Sequence, residues 1–170
     1  MKKPHLVALA LAAIVGFAQG CETQSCSAVG WQEGLTVKVT SDEPLTAGAY
    51  RFVIEIPEQT FEVNLTLENP KNTQEGVYVS QHIERDYWQV NASLSGSTQF
   101  GTEGDITIGR FKGETGGPKT LTLTVFQDGV EIGALELGAI DYHQDELNGS
   151  GCGVATTANT SISIAPVRSP

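Results

Sequence analysis

Apolar side chains recur at every second position along much of this chain, the period of a strand that buries one face. In "LTVKVTS", Leu35, Val37 and Val39 share one face while Thr36, Lys38 and Thr40 occupy the other. "AYRFVIEIP" aligns Tyr50, Phe52, Ile54 and Ile56. "TFEVNLTLE" then sets Phe61, Val63, Leu65 and Leu67 against Glu62, Asn64, Thr66 and Glu68. Pro57 and Glu58 separate these strands, which predicts a tight hairpin with Pro57 at a strand end, where its missing N–H does not break the ladder.

Further along, "EGVYVSQHI" and "DYWQVNASLSG" predict two strands around the charged break Glu84-Arg85-Asp86, and "GDITIGRFKG" predicts another through Ile106 and Ile108. "GETGGP", Gly113 to Pro118, joins glycines that permit positive φ to a proline that fixes a turn. The clearest local signal is "KTLTLTVFQDGVEIGALEL". Leu121, Leu123 and Val125 alternate with threonines, Asp128-Gly129 has the residue types of a type I′ turn, and Val130 and Ile132 resume the strand. The apolar phase then moves to Leu135, Leu137 and Ala139, so a bulge is expected at Gly133-Ala134. "NTSISIAP" supplies a last strand through Ile162 and Ile164, beyond the turn-rich "NGSGCG".

No stretch in 21–170 carries a helical apolar stripe. The expected fold class is therefore all-β: an immunoglobulin-like two-sheet sandwich of about seven to nine antiparallel strands, preferred over a closed barrel because turns recur every ~8 to 12 residues.

Ahead of the strands the pattern changes. Leu6 to Ala18 form an uncharged run behind Lys2 and Lys3, and Ala18-Gln19-Gly20 provides a small-residue exit, the layout of a signal peptide. The run is shorter than the roughly 20 residues that cross a bilayer core as a helix, so removal is expected. Two processing routes give Cys21 different fates. Phe17-Ala18-Gln19-Gly20-Cys21 resembles a bacterial lipobox, in which the Cys21 sulfur takes a diacylglycerol and the new amino terminus takes an acyl chain such as palmitate. An ordinary secretory cut after Gly20 would instead leave Cys21 as a plain thiol.

Cysteine arithmetic favours the lipobox. Exported thiols tend to pair, and the three cysteines, Cys21, Cys26 and Cys152, leave one over. Lipid on Cys21 leaves Cys26 and Cys152 as a single expected disulfide with a structural role, since the close spacing of a redox-active pair is missing. The expected organisation is a signal peptide over 1–20, anchor cysteine and tether over 21–29, one sandwich domain over 30–166 and a tail over 167–170. Glu22, beside the anchor, leaves the choice of membrane open; the expected placement is the outer membrane of a bacterial envelope, with a secreted or periplasmic soluble protein as the alternative.

Charge excludes more than it identifies. Losing Lys2 and Lys3 with the leader takes the formal charge from −10 to −12, which repels phosphate backbones and anionic headgroups and so disfavours nucleic-acid partners. The best cluster of reactive groups is "DYHQDEL". In an extended segment Asp141, His143 and Asp145 would share a side, with Glu146 nearby, as weak candidates for a metal site. A solvated acidic loop is the preferred reading, because metal sites need placed ligands and a supporting shell. His82 has no nucleophile context beside it, and "GSGCG" lacks the strand and helix that a phosphate-binding loop requires. No cofactor is expected. Trp31, Tyr87, Trp88 and Tyr142 are candidate ligand contacts, if their faces are exposed instead of packed.

Taken in order, the lipobox, a nearby second cysteine, "GLTVKVT", "AGAYRFVIE", "DGVEIGALEL" and a late "NGSGCG" resemble a group of small lipoproteins from Gram-negative bacteria. The similarity spans most of the chain after the leader. It departs from the group in lacking a cysteine in "TFEVNLTLE" and another after "GCG". The resemblance implies a lipid-anchored β-sandwich and no particular activity. The expected function is a non-enzymatic interaction or structural module, held to the membrane by lipid on Cys21 and facing an envelope protein or polysaccharide. A carbohydrate-binding envelope lipoprotein is the rival within binding, and a metal-dependent enzyme using Asp141 to Glu146 is the rival of another class.

Overall fold

The computed structural model describes residues 33–68, 77–97, 101–110, 116–146 and 154–167. Their strands are β1 (Gly34–Ser41), β2 (Gly48–Ile56), β3 (Gln59–Leu67), β4 (Val77–Arg85), β5 (Trp88–Ser97), β6 (Gly101–Arg110), β7 (Leu121–Gln127), β8 (Val130–Leu137), β9 (His143–Glu146) and β10 (Val154–Ser163). They form a six-stranded sheet, β4-β5-β6-β1-β10-β9, and a four-stranded sheet, β3-β2-β7-β8. The all-β, two-sheet architecture expected from period two is therefore present. Cys21, Cys26, Cys152 and Trp31, and with them the expected anchor and disulfide, lie outside the described residues.

Alternation explains the packing. Phe52, Ile54, Phe61, Val63, Leu123 and Val125 from the smaller sheet meet Val37, Val39, Val90, Leu94, Ile106 and Ile108 from the larger one, all fully enclosed. Each such side chain contributes about 1.5–3 kcal/mol on burial, which fixes which face of every strand turns inward. At one side of the sandwich the edges of β3 and β4 lie together, and the Asn64 N–H donates to Gln81 Oε1 at 2.9 Å. At the other side Ala165 N donates to Ile132 O at 2.9 Å, so the segment after β10 covers part of the β8 edge.

Three expectations need correction. The strands are not all antiparallel: β1 and β10 pair in parallel, with Val37 opposite Thr160. Parallel partners need a long connection, and here almost the whole domain lies between the first strand and the last. Ten strands are described against the seven to nine expected, partly because His143–Glu146, read as a loop, pairs with β10. That segment has no apolar alternation, so only its edge pairing makes it a strand. The bulge falls at Ile132, one residue before the expected Gly133-Ala134: Val125 faces Gly133, Phe126 faces Glu131, and Ile132 is the extra residue. The phase change itself is present, since Ile132 is buried and Leu135 and Leu137 then pack against the core.

The Asp128-Gly129 turn has φ of 50° and 84°, as a type I′ turn requires. Its aspartate also joins the turn to β2: Asp128 Oδ1 accepts from Ala49 N at 2.9 Å, and Asp128 N donates to Ala49 O at 2.8 Å. Beside it Gln127 is 1% exposed. Its amide donates to Thr46 Oγ1 and its Oε1 accepts from Val167 N at 2.8 Å. Every buried side-chain polar atom among the described residues has a partner, so burying Gln127 leaves nothing unsatisfied.

Candidate functional site

Strand directions bring the β2–β3 turn, the β4–β5 turn, the end of β6 and the start of β1 to one end of the sandwich. Trp88 pairs with Arg110, and a Cβ added to Gly109 would sit 2.3 Å from Glu33 O. Gly34, at φ 113°, passes so close to β6 that a Cβ would lie 2.2 Å from Ile108 O, so glycine is needed where the chain enters the domain.

At this end Arg85 and Trp88 face each other, leaving Asp86 and Tyr87 as a two-residue turn. Both have positive φ, 47° and 73°. Such turns favour Asn or Gly, and left-handed backbone costs an ordinary residue roughly 1–2 kcal/mol. Tyrosine occupies the second position, and its side chain is 61% exposed, while the adjacent Trp88 is 3% exposed. The exposed Tyr87-Trp88 pair that would have suited a flat sugar platform is absent: Trp88 continues the inward row of Val90, Ala92 and Leu94, and Tyr87 points away from it.

The wall beside Tyr87 is built from the neighbouring turns. The Arg110 guanidinium lies 4.8 Å from the Trp88 ring centroid, and its Nη2 stands 3.6 Å from Glu58 Oε1. Stacking and ion pairing together orient that cation more firmly than a surface pair would alone. Gln59 Nε2 donates to Arg85 O at 3.4 Å, tying the two turns to each other. Between them lies a shallow cleft of about 250 Å³ lined by Glu58, Gln59, Asp86, Tyr87, Trp88 and Arg110. Carboxylates, a carboxamide, a guanidinium and an exposed aromatic ring thus border one small space.

Compared with known proteins, the chain matches no family model, no curated protein and no solved structure. The remaining sequence candidates are placed by geometry. Tyr142 is half-buried and donates to Pro118 O at 2.8 Å. Burial pushes its phenol up to about 12. A Cβ on Gly117 would lie 2.3 Å from its hydroxyl, so the tip of this ring packs closely on backbone, while the ring lines a separate concavity of about 470 Å³ with Gly116, Lys119 and Ile140. His143 begins β9 opposite Thr157, and Asp141 and Glu146 are exposed. Among the described residues no three His, Cys, Asp or Glu groups come together as metal ligands; the Asp145 side chain is not described.

A second concavity, about 480 Å³, lies on the outer face of the larger sheet and is lined by Ser80, His82, Asn91, Ser93, Asp105 and Thr107 among others. His82 Nδ1 is hydrogen-bonded to Asn91 Oδ1, and its Nε2 lies 3.1 Å from Glu84 Oε1. Those two bonds, Glu84 first and Asn91 second, raise the imidazole above its ordinary value. Both ring nitrogens facing oxygen acceptors suit the imidazolium, in which both donate.

Residue-by-residue reading missed Glu58, Gln59, Asp86 and Arg110. The only sequence signal for them was indirect: Pro57-Glu58 separates two strands, and the break expected at Glu84-Arg85-Asp86 falls instead at Asp86-Tyr87, because Glu84 and Arg85 stay paired in the hairpin; no local pattern says that the two turns share an end.

Proposed function

We propose that this chain is a lipid-anchored protein of a bacterial cell envelope, a non-enzymatic interaction module that meets its partner through the Tyr87 end of an immunoglobulin-like sandwich. The observation that carries the reading is Tyr87 itself: a large ring 61% exposed at φ 73°. An exposed tyrosine on backbone that suits glycine better costs stability without adding to the core, and such strain is retained where a side chain must be displayed. Tyrosine and arginine are also the residue types that dominate binding hot spots.

The anchor rests on the lipobox-like Phe17 to Cys21 and on the cysteine count, with Cys26 and Cys152 as the remaining pair. Attachment through several acyl chains is stable, because each buried methylene contributes about 0.8 kcal/mol. Since Gly34 lies beside the Tyr87 turn and only 13 positions after Cys21, the greatest reach of the chain keeps that end within roughly 45 Å of the bilayer. The immunoglobulin-like plan is supported by Tyr50, whose hydroxyl donates to Thr46 O at 2.7 Å, a bond like the tyrosine corner of such sandwiches. The outer membrane is the proposed location.

Two measurements test this. Intact mass of the membrane-expressed protein is expected to show diacylglycerol and acyl additions at Cys21, lost in Cys21→Ser, with two thiols alkylated only after reduction. A photo-crosslinking residue at position 87 is expected to form adducts in whole cells that the same residue at position 131, in β8, does not. An unlipidated soluble product would overturn the anchor, and adducts at 131 without any at 87 would overturn the interaction end.

A further inference from the structure

We infer that the cleft beside Tyr87 is a carbohydrate subsite that takes one neutral pyranose ring, an assignment that rests on the interaction reading above. The first argument is shape. The space is about 250 Å³ and is bordered on one side by an exposed aromatic ring. It is below the usual range for drug-sized ligands, roughly 300–1,000 Å³, and suits one ring-sized group.

The second argument is charge and hydrogen-bonding type. Glu58 and Asp86 supply acceptors, Arg110 supplies donors and Gln59 supplies both. An anionic ligand entering beside Arg110 would meet both carboxylates, and a cationic one entering beside the carboxylates would meet the guanidinium. A polyhydroxylated ring avoids both conflicts, because each hydroxyl donates and accepts and the ring carries no charge. Its C–H face is apolar and can lie on the Tyr87 ring, while its equatorial oxygens reach the carboxylates and the guanidinium.

The third argument is preorganisation. Arg110 is held by the Trp88 ring at 4.8 Å and by Glu58 at 3.6 Å, and Gln59 is held by Arg85 O. A two-residue turn leaves Tyr87 little backbone freedom. Groups fixed in this way lose little entropy on binding, which weak polar ligands need. A single stacked ring predicts millimolar affinity, with selectivity for ring stereochemistry instead of charge.

The test uses the full-length mature protein in a zwitterionic detergent without a sugar headgroup, titrated with cellobiose, maltose and N,N′-diacetylchitobiose and followed by amide shifts. At least one sugar is expected to move the amides of Gln59, Asp86, Tyr87, Trp88 and Arg110 and to leave those around Asp128 unmoved. Tyr87→Asn, which suits the turn, is expected to weaken binding about tenfold while the melting temperature holds or rises. Val130→Asn, at the opposite end, is expected to bind as the parent does. No shift at these residues with any of the three sugars, or Tyr87→Asn binding unchanged, overturns the assignment. If the sugars fail while the crosslinker at 87 captures a protein in cells, the glycan assignment falls and the interaction end stands. If neither gives a signal, both fall.

Discussion

His82 illustrates how a single residue acquires chemistry from its register. Pairing with Asn91 across the β4–β5 hairpin and the neighbouring Glu84 carboxylate give the ring two acceptors, and its pKa rises for that reason. A raised histidine pKa means that the folded state holds the proton more tightly than the unfolded chain. The contribution is therefore complete below the ordinary histidine value of 6.5 and lost as pH rises through the folded value. An NMR titration of the His82 ring is expected to show this upward shift, and Glu84→Gln to reduce it. Equal titration in both proteins would mean that Glu84 is not its cause. Trp88 makes the complementary point. It was a candidate ligand contact in the sequence, and its 3% exposure decides for packing, in one parity with Val90, Ala92 and Leu94. The positive φ that turns Tyr87 outward was not legible, since Asp-Tyr is not a usual type I′ pair.

Among the elements, the β7–β8 hairpin was the most legible and β9 the least. Asp128-Gly129 specifies its turn through residues that accept positive φ, and the apolar phase announces a bulge. Beside the bulge at Ile132 lies a tertiary contact. A Cβ on Gly133 would come within 2.8 Å of Ile164 Cγ2 and 3.2 Å of Ser163 O, so the segment after β10 packs directly on this glycine. Gly133→Val is expected to cost about 1–3 kcal/mol by overpacking. It is also expected to speed hydrogen exchange of the Ala165 amide, which donates to Ile132 O. Unchanged protection at Ala165 would show that this approach does not hold the segment. For β9 the sequence carried no strand signal, because a short polar edge strand is held by backbone bonds to β10 and buries almost no side chain of its own.

Across the whole molecule, the first and last of the described strands lie side by side within the larger sheet, between β6 and β9. The sheet is therefore continuous only when β1 and β10 pair, so damage to β10 should be felt in β1 and β6 as well. Ile162→Ala, which empties a buried position opposite Val39, is expected to cost about 2–5 kcal/mol in chemical denaturation. Amides of β1 and β6 should lose protection together with those of β10. Loss confined to β10 would show that the last strand frays independently.

The sequence by itself determined the strand class, the inward faces and the hairpin at Asp128-Gly129, because period-two burial and positive-φ turn residues are local properties. It also determined the leader pattern and the cysteine count on which the anchor proposal rests. Only the tertiary structure decided that β1 and β10 run parallel, that β9 is a strand and that Ile132 is the bulged residue. The cleft belongs to this second group. Glu58, Tyr87 and Arg110 stand far apart in the chain, and they border one space because strand direction and sheet stacking bring their turns to the same end.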